Sequence, residues 1–347
     1  MKGFLSILGF LGLLPLAYTL SLLIRGGATG WGWAWMLFAV VFDLGLMWLS
    51  NEPRRARIAL GLAAALFGIL AGLRTMRSHP TGVGTLVRLP EGSAAPWYAK
   101  LGEESDLSGM LYTVFTDTGA ISGDDARSSR NAYRTLRRAM YRDGEFRPVP
   151  SILMGELLGG SSASRPLAYV FNAPVEGERA DRAVIVMHGA GGAQKLPCWM
   201  LARRMPDAMV VCPSAGLGGE WANDTGRAIF QMALEYVTPR SNATYVLAFQ
   251  YGARGALHLL NGTLRGHVAG VALISGYDEN YVDDVRRSNI PMLIVRGTTD
   301  ARTPAFRLEG QGGLARIHHL DVEGGNMVFY EQSETLLEEL DTFAGAH

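Results

Sequence analysis

The order of apolar and polar residues divides the chain into an apolar N-terminal part and a longer mixed part. Three apolar runs lie at residues 4–24, 31–49 and 58–73, separated by the short segments GGATG and NEPRRAR. A helix needs about 20 apolar residues to cross the hydrocarbon core of a bilayer. Each run approaches that length, and the first lacks the small-residue cleavage site of a signal peptide. The pattern predicts three transmembrane helices within residues 1–77.

Basic residues around these runs predict their orientation. Lys2 precedes the first run, and Arg54, Arg55 and Arg57 lie between the second and third, whereas Arg25 alone lies between the first and second. Positive residues accumulate in the cytoplasmic segments of membrane proteins. We therefore expect a multi-pass protein of the inner or plasma membrane, with its N-terminus inside and its large C-terminal domain in the periplasm.

One ionisable residue, Asp43, lies deep within an apolar run. A charge at that depth costs at least about 2.5 kcal/mol unless it is paired or neutralised. No series of acids and bases continues from it across the membrane, which argues against a transporter. We expect Asp43 to pair with Thr19 or Ser21 of the first run.

The third run carries small residues every four positions, at Ala64, Gly68 and Gly72. On a helix these residues form a smooth stripe against which another helix can pack closely. We call them the small-residue stripe. The helix that packs on it belongs either to the same three-helix bundle or to a partner protein.

Residues 78–146 are rich in glycine, serine and aspartate and predict a linker with a small added region. Their clearest element is RSSRNAYRTLRRAMYR (127–142), whose arginines recur at three- and four-residue steps and predict a helix with one basic face. Such a face is either solvated or docks onto anionic lipid headgroups or an acidic partner. Its members are Arg127, Arg130, Arg134, Arg137 and Arg138.

From residue 147 to residue 347 short apolar strands alternate with helices. The predicted helices lie at 194–204, 226–238, 253–264 and 329–343. The predicted strands are ILMGELL, LAYVF and residues 183–187, 208–212, 244–249, 267–274, 291–295 and 316–322. Strands that alternate with helices form a mostly parallel sheet covered on both faces. The pattern predicts a three-layer α/β sandwich.

Charge and cysteine content exclude several classes of function. Basic and acidic residues balance at 32 each, so no net field would attract nucleic acid. Two cysteines, Cys198 and Cys212, can form at most one bridge and lack the spacing of a zinc or redox motif. They are free to pair if the domain lies in an oxidising compartment. We expect no metal site, no cofactor and no nucleic-acid partner.

Five motifs in order make residues 147–347 resemble the α/β-hydrolase family, especially its esterases and dienelactone hydrolases. MHGAGG (187–192) resembles the oxyanion loop, and LAFQYGARGAL (247–257) resembles the nucleophile elbow. PMLIVRGTTDARTP (291–304) is similar to the turn that presents the acid, and VEGGNMVFYEQ (322–332) to the loop that presents the histidine. VVCPSAGLGGEW (210–221) resembles the strand and loop after the oxyanion segment. The resemblance implies an α/β-hydrolase-like fold.

The residues at the catalytic positions depart from the family. Gln250 stands at the nucleophile position of the elbow, where G-x-S-x-G is expected, and Ala248 replaces the first glycine. Met327, or Asn326 one residue earlier, stands at the histidine position. A carboxamide cannot be activated to attack a carbonyl, and neither methionine nor asparagine shuttles a proton. Only Asp300 matches an intact triad member.

These departures favour a membrane-anchored, catalytically inactive protein that acts as a structural or accessory subunit of a larger membrane complex. Its expected partners are membrane lipids and other membrane-protein subunits. Two alternatives remain: an active esterase with an unrecognised nucleophile, and a sensor that binds a small ligand in the vestigial pocket. The ligand-binding residues of the sensor would be His188, Gly189, Ala190, Gly191 and Gln250.

Overall fold

The structure is a computed structural model, and it joins a bundle of apolar helices to a nine-stranded sheet through a set of shorter helices. The residues it describes are 2–49, 52–118, 126–159, 164–189, 194–260, 262–276, 279–300, 303, 316–325 and 327–345.

The three apolar runs form three long helices that pack in chain order: α1 (Lys2–Gly26), α2 (Gly30–Met47) and α3 (Pro53–Arg77). Thr29 caps the start of α2 by accepting a hydrogen bond from the amide of Trp31, and Pro53 occupies the first turn of α3. By length and composition, α2 and α3 are able to cross a membrane. The third predicted crossing, at residues 4–24, lies within α1 and stays a prediction.

The face of α3 that packs on its neighbours is not the predicted small-residue stripe. Its buried positions include Ala56, Ala59 and Ala63, and a Cβ added to Gly45 of α2 would lie 2.8 Å from the Leu60 side chain. Small side chains thus let α2 approach α3 closely. Gly68, by contrast, has no described atom near the place of its missing Cβ, and the same holds for Gly72. Of the two alternatives for the stripe, packing within the bundle is therefore wrong for the described residues.

The sheet is mostly parallel, as predicted. Its strand order is β2-β1-β3-β5-β4-β6-β7-β8-β9, and the pairs from β5 to β9 are parallel, whereas β1, β2 and β3 join antiparallel at one edge. The strands are β1 (Gly84–Arg88), β2 (Ser93–Ala94), β3 (Leu167–Phe171), β4 (Ala180–Met187), β5 (Ala208–Pro213), β6 (Ser241–Phe249), β7 (Gly270–Ile274), β8 (Met292–Gly297) and β9 (Ile317–Val322).

Helices cover both faces of the sheet. Alternate residues of β4 point to opposite faces: Val184 lies in one apolar core with the helices at residues 195–204 and 333–345, whereas Ile185 lies in the other core with the helices at 224–237 and 251–259. This alternation produces two apolar cores and confirms the three-layer arrangement. The helices of these layers are α7 (Lys195–Arg204), α8 (Asp224–Val237), α9 (Tyr251–Leu259), α10 (Val282–Ser288), α11 (Val328–Glu331) and α12 (Ser333–Gly345).

Three further helices, α4 (Glu104–Asp117), α5 (Ala126–Arg142) and α6 (Ile152–Gly159), lie between the apolar bundle and the sheet. The helix predicted over residues 127–142 is confirmed as α5. The strand predicted for ILMGELL is wrong, because these residues form α6. A short apolar run fits a buried helix as well as a strand, so its pattern does not discriminate between them.

The two cysteines are joined in a disulfide that links α7 to β5, with a Cα–Cα distance of 6.5 Å. Both side chains are fully buried. The bridge that the sequence left open is therefore present in the structure.

Candidate functional site

The turn between β6 and α9 carries Gln250 in a left-handed backbone conformation, with φ of 49° and ψ of −110°. The backbone N–H of Gln250 donates to the Ile274 carbonyl at 2.9 Å, which fixes the turn to the end of β7. Gly252 follows in the first turn of α9, and a Cβ there would run into the Met187 carbonyl. The strained strand-to-helix turn of a nucleophile elbow is thus formed, with a carboxamide at its tip.

The Gln250 side chain fills the space in front of the turn. Its Nε2 donates to Met327 Sδ at 3.1 Å. On the other side, a Cβ added to Gly189 would lie 2.5 Å from Gln250 Oε1. The amide therefore lies between the first glycine of the predicted oxyanion loop and the residue at the predicted histidine position.

Asp300 lies buried in the turn after β8, where its amide donates to the Gly297 carbonyl at 3.0 Å. This turn is tied to the segment that leads to Met327, because the Thr299 amide donates to the Gly324 carbonyl at 3.0 Å. The structure thus brings the three predicted triad positions to the carboxyl edge of the parallel strands. Asn326, the alternative at the histidine position, lies outside the described residues, as do Ala190 and Gly191.

His188 is buried and supports the loop after β4. Its Nε2 accepts from the Ala215 amide at 3.1 Å, so Nδ1 carries the proton and donates to the Gly189 carbonyl at 2.7 Å. Burial lowers the pKa of His188 to about 4, which keeps the ring neutral. The ring is thus held by backbone groups of the chain itself.

His188 belongs to a buried polar cluster that sequence reasoning missed. The Gln194 amide nitrogen donates to His188 Nε2 at 3.1 Å and to Ser214 Oγ at 2.9 Å, and Ser214 Oγ donates to a Glu156 carboxylate oxygen. We call these four residues the Glu156 cluster. Burial raises the pKa of Glu156 to about 7, against the lowering effect of its hydrogen bond with Ser214. A glutamate inside an apolar run was the one sequence signal for this cluster.

Charged groups continue from the Glu156 cluster to the end of α3. Ser151 Oγ donates to Glu104 Oε2 at 2.5 Å, and burial raises the pKa of Glu104. Lys195 Nζ donates to the Val149 carbonyl at 2.8 Å, and burial lowers its pKa to about 8. Beside them, Arg74 of α3 forms an ion pair with Glu103 at 2.8 Å, with both side chains 2% exposed. Fixed polar contacts therefore join the apolar bundle to the site.

The basic face of α5 is not one continuous surface. Arg137 is 1% exposed and donates to the carbonyls of Gly26, Gly27 and Ser105, the Gly27 contact measuring 2.8 Å. A basic docking face is therefore wrong for Arg137, because this side of α5 also carries the buried Tyr133 and packs inward. Arg138 is exposed, and Arg130 and Arg134 are half-buried. The side chain of Arg127 lies outside the described residues.

Asp43 is buried between α1 and α2, and its carboxylate packs against Gly12. The predicted pairing with Thr19 is not formed, because the Thr19 hydroxyl donates to the Pro15 carbonyl at 2.8 Å. A glycine at position 12 leaves room for the carboxylate at this helix contact, which the sequence pattern did not reveal. Among the described residues, no group of three histidine, cysteine or acidic side chains could hold a metal ion.

Comparisons with known proteins give structural likeness without sequence relatives. No protein-family model matches the chain, and none of the curated proteins matches it. Among solved structures, a CIB-like hydrolase from Thermoplasma acidophilum is 16% identical with a TM-score of 0.42, covering 53% of this chain and 93% of that chain. Est1E from Butyrivibrio proteoclasticus is 12% identical with a TM-score of 0.41, and the match covers 55% of this chain and 97% of that chain. XC6422 from Xanthomonas campestris, a serine hydrolase without a lid, is 14% identical with a TM-score of 0.40, and the match covers 53% of this chain and 89% of that chain.

The sheet and its central turn carry the fold assignment. A mostly parallel sheet has its antiparallel strands at one edge, and β4 lies between β5 and β6. The tight turn at Gln250 stands where the central strand β6 meets α9. This arrangement is α/β-hydrolase-like, as the sequence motifs predicted.

Proposed function

We propose that this chain is a membrane-anchored, catalytically inactive α/β-hydrolase-like protein that acts as a structural or accessory subunit of a larger membrane complex. Residues 78–345, here called the outer domain, make the contacts with its partners. The observation that carries the proposal is the Gln250 amide, which packs on Met327 Sδ at 3.1 Å in place of a nucleophile and its base.

The anchoring part of the proposal rests on how the helices meet the outer domain. Thr29, in the loop between α1 and α2, donates twice to Asp106 of α4 at 2.6 Å, and Arg74 at the end of α3 pairs with Glu103. Both contacts place one end of the bundle against the outer domain. The opposite end then carries Lys2 and the basic residues around 54–57, which favours an outer domain in the periplasm. The disulfide favours an oxidising compartment as well.

The partner contact in the membrane is proposed for the small-residue stripe. Gly68 and Gly72 face away from the described helices, so a helix of another subunit can approach α3 there closely. Arg138 on the exposed side of α5 offers a second, basic contact for an acidic partner or anionic headgroups.

Native purification of the full-length protein in mild detergent tests the subunit role. We expect a stoichiometric complex by native mass measurement, and we expect Gly68→Leu to reduce the recovered partner because its side chain occupies the stripe. Leu62→Ile, at an exposed position of the same helix, is the matched control. A protein that purifies alone, from cells in which it is normally made, would contradict the proposal.

The proposed lack of hydrolase activity is tested by ester-hydrolysis and inhibitor-labelling assays on the same preparation. We expect no turnover of p-nitrophenyl esters and no labelling by a fluorophosphonate, since no activated hydroxyl stands at the turn. The matched control is Gln250→Ala, which removes the amide but adds no nucleophile, and it should leave both readouts at the same background. Ester turnover by the unmodified protein that a fluorophosphonate blocks would show an active hydrolase instead.

A further inference from the structure

Three large apolar side chains of the outer domain are exposed on two elements that contact each other. Leu157 and Leu158 at the end of α6 are 54% and 57% exposed, and Trp97 is 65% exposed. The two elements that carry them are in contact, because a Cβ added to Gly159 of α6 would run into the Tyr98 ring. We call Trp97, Leu157 and Leu158 the α6 patch.

The α6 patch continues from the end of α3. Leu157 and Leu158 follow Met154 by three and four residues, so they lie on the same side of α6. The Met154 side chain packs against Gly102, and the Gly102 carbonyl accepts a hydrogen bond from Arg74 Nη2 of α3 at 3.2 Å. The row of apolar side chains on α6 therefore begins at the junction between the outer domain and the bundle.

The surface of α3 at this junction is apolar on its outer side. Leu73, directly before Arg74, is 43% exposed, and Met76, two residues after Arg74, is 80% exposed. Exposed Arg77 directly precedes Ser78, whose hydroxyl donates to the carbonyl of half-buried Lys100 at 3.4 Å. Tryptophan, leucine and basic residues in this combination are typical of protein surfaces that lie in the membrane–water interface.

We propose that the α6 patch is embedded in the interface of the bilayer that anchors α3. The occupant is lipid because α6 adjoins the end of a predicted membrane span at the contact of Met154 with Gly102, and because Arg77 and Lys100 complement anionic headgroups. The inference rests on the proposed membrane anchoring. The α6 patch proposal adds an orientation of the outer domain, in which α6 and the adjoining edge of the candidate site contact the lipid surface.

Site-directed fluorescence in the full-length protein tests this. Both native cysteines are bonded to each other, so a cysteine introduced by Leu158→Cys can be labelled selectively with an environment-sensitive NBD dye. The protein is reconstituted in vesicles of phosphatidylcholine and phosphatidylglycerol that contain a headgroup-region nitroxide lipid. Met76→Cys reports the membrane anchoring itself. Val175→Cys is the control, because Val175 is 70% exposed in the loop between β3 and β4 and belongs neither to α3 nor to the α6 patch.

The expected result is nitroxide quenching of the dye at positions 76 and 158 and none at 175. Leu157→Cys gives a second label if the first variant does not fold. Quenching at 76 without quenching at 157 or 158 overturns the α6 patch proposal but leaves the anchoring intact. A blue-shifted dye at 158 that nitroxide lipids do not quench also overturns it, because protein then covers the patch. Loss of quenching at 76 as well refutes the anchoring on which both proposals rest.

Discussion

Arg137 is the residue whose removal should most weaken the junction between the apolar bundle and the outer domain. Its guanidinium donates to three carbonyls, one from the last residue of α1, one from the loop that follows and one from α4. Arg137→Met keeps the apolar stem but leaves those carbonyls without their donor. Arg138→Met is the matched control, because it removes the same charge from an exposed neighbour on the same helix.

The magnitude follows from the number of bonds and the cost of burial. Three hydrogen bonds from a charged donor contribute about 1.5–3 kcal/mol each. Burying the guanidinium offsets several kcal/mol of this sum, leaving a net loss of about 2–4 kcal/mol on substitution. At roughly 2–4 °C for each kcal/mol, the apparent melting temperature should fall by about 4–16 °C.

Intrinsic tryptophan fluorescence during heating measures this in mild detergent, and limited proteolysis between α3 and α4 reports opening of the junction. We expect Arg137→Met to melt earlier and to be cleaved faster, and Arg138→Met to behave as the unmodified protein. Equal melting of all three proteins would refute the buried role of Arg137. An equal decrease in both variants would instead indicate that the summed charge of α5 matters.

Three further predictions concern the outer domain. Burial raises the pKa of Glu156 from 4.5 to about 7, so between these pH values the folded state holds a proton that the unfolded state has released. The contribution of Glu156 to stability is therefore lost as the pH rises from about 5 through 7. Glu156→Gln should remove that part of the pH dependence of the melting temperature, and an unchanged slope between pH 5 and 8 would contradict it. The double variant Cys198→Ala with Cys212→Ala should have a free energy of unfolding lower by about 3 kcal/mol, because the disulfide closes a short loop in the unfolded chain. A denaturation midpoint equal to that of the oxidised protein would argue against this contribution of the disulfide. Gly252→Ala should lower the free energy of unfolding by about 1–3 kcal/mol, since the added Cβ meets backbone that cannot move aside. The control Gly82→Ala has open space at its Cβ and should change the free energy of unfolding by no more than about 0.5 kcal/mol. Similar losses of stability in both variants would be evidence against the close approach at Gly252.

Local patterns were sufficient to predict most elements of residues 147–345. They did not predict β1, β2 and α4, which lie in the segment 78–146 that was predicted to be a linker with one basic helix. Short apolar runs between helices identified the parallel strands, and the motif around Gln250 identified the turn at which β6 meets α9. The identity of Gln250 at that turn is the basis of the proposal that the nucleophile is missing. The same local patterns misassigned α6, because burial on both sides makes a short helix and a strand alike in composition.

Contacts between distant segments were decided by the tertiary structure. The sequence does not distinguish Arg137 from its exposed neighbours along α5. Its three carbonyl partners come from the end of α1, the loop that follows and α4, which meet it only in the folded chain. Glu156 and Ser214 are 58 residues apart, so no periodicity relates them. The sequence by itself determined which segments are apolar, where most of the strands lie and which residue stands at the turn between β6 and α9, since these depend on neighbours along the chain. The tertiary structure decided which charges are buried and which small residues remain open, because burial depends on segments that meet only when the chain folds.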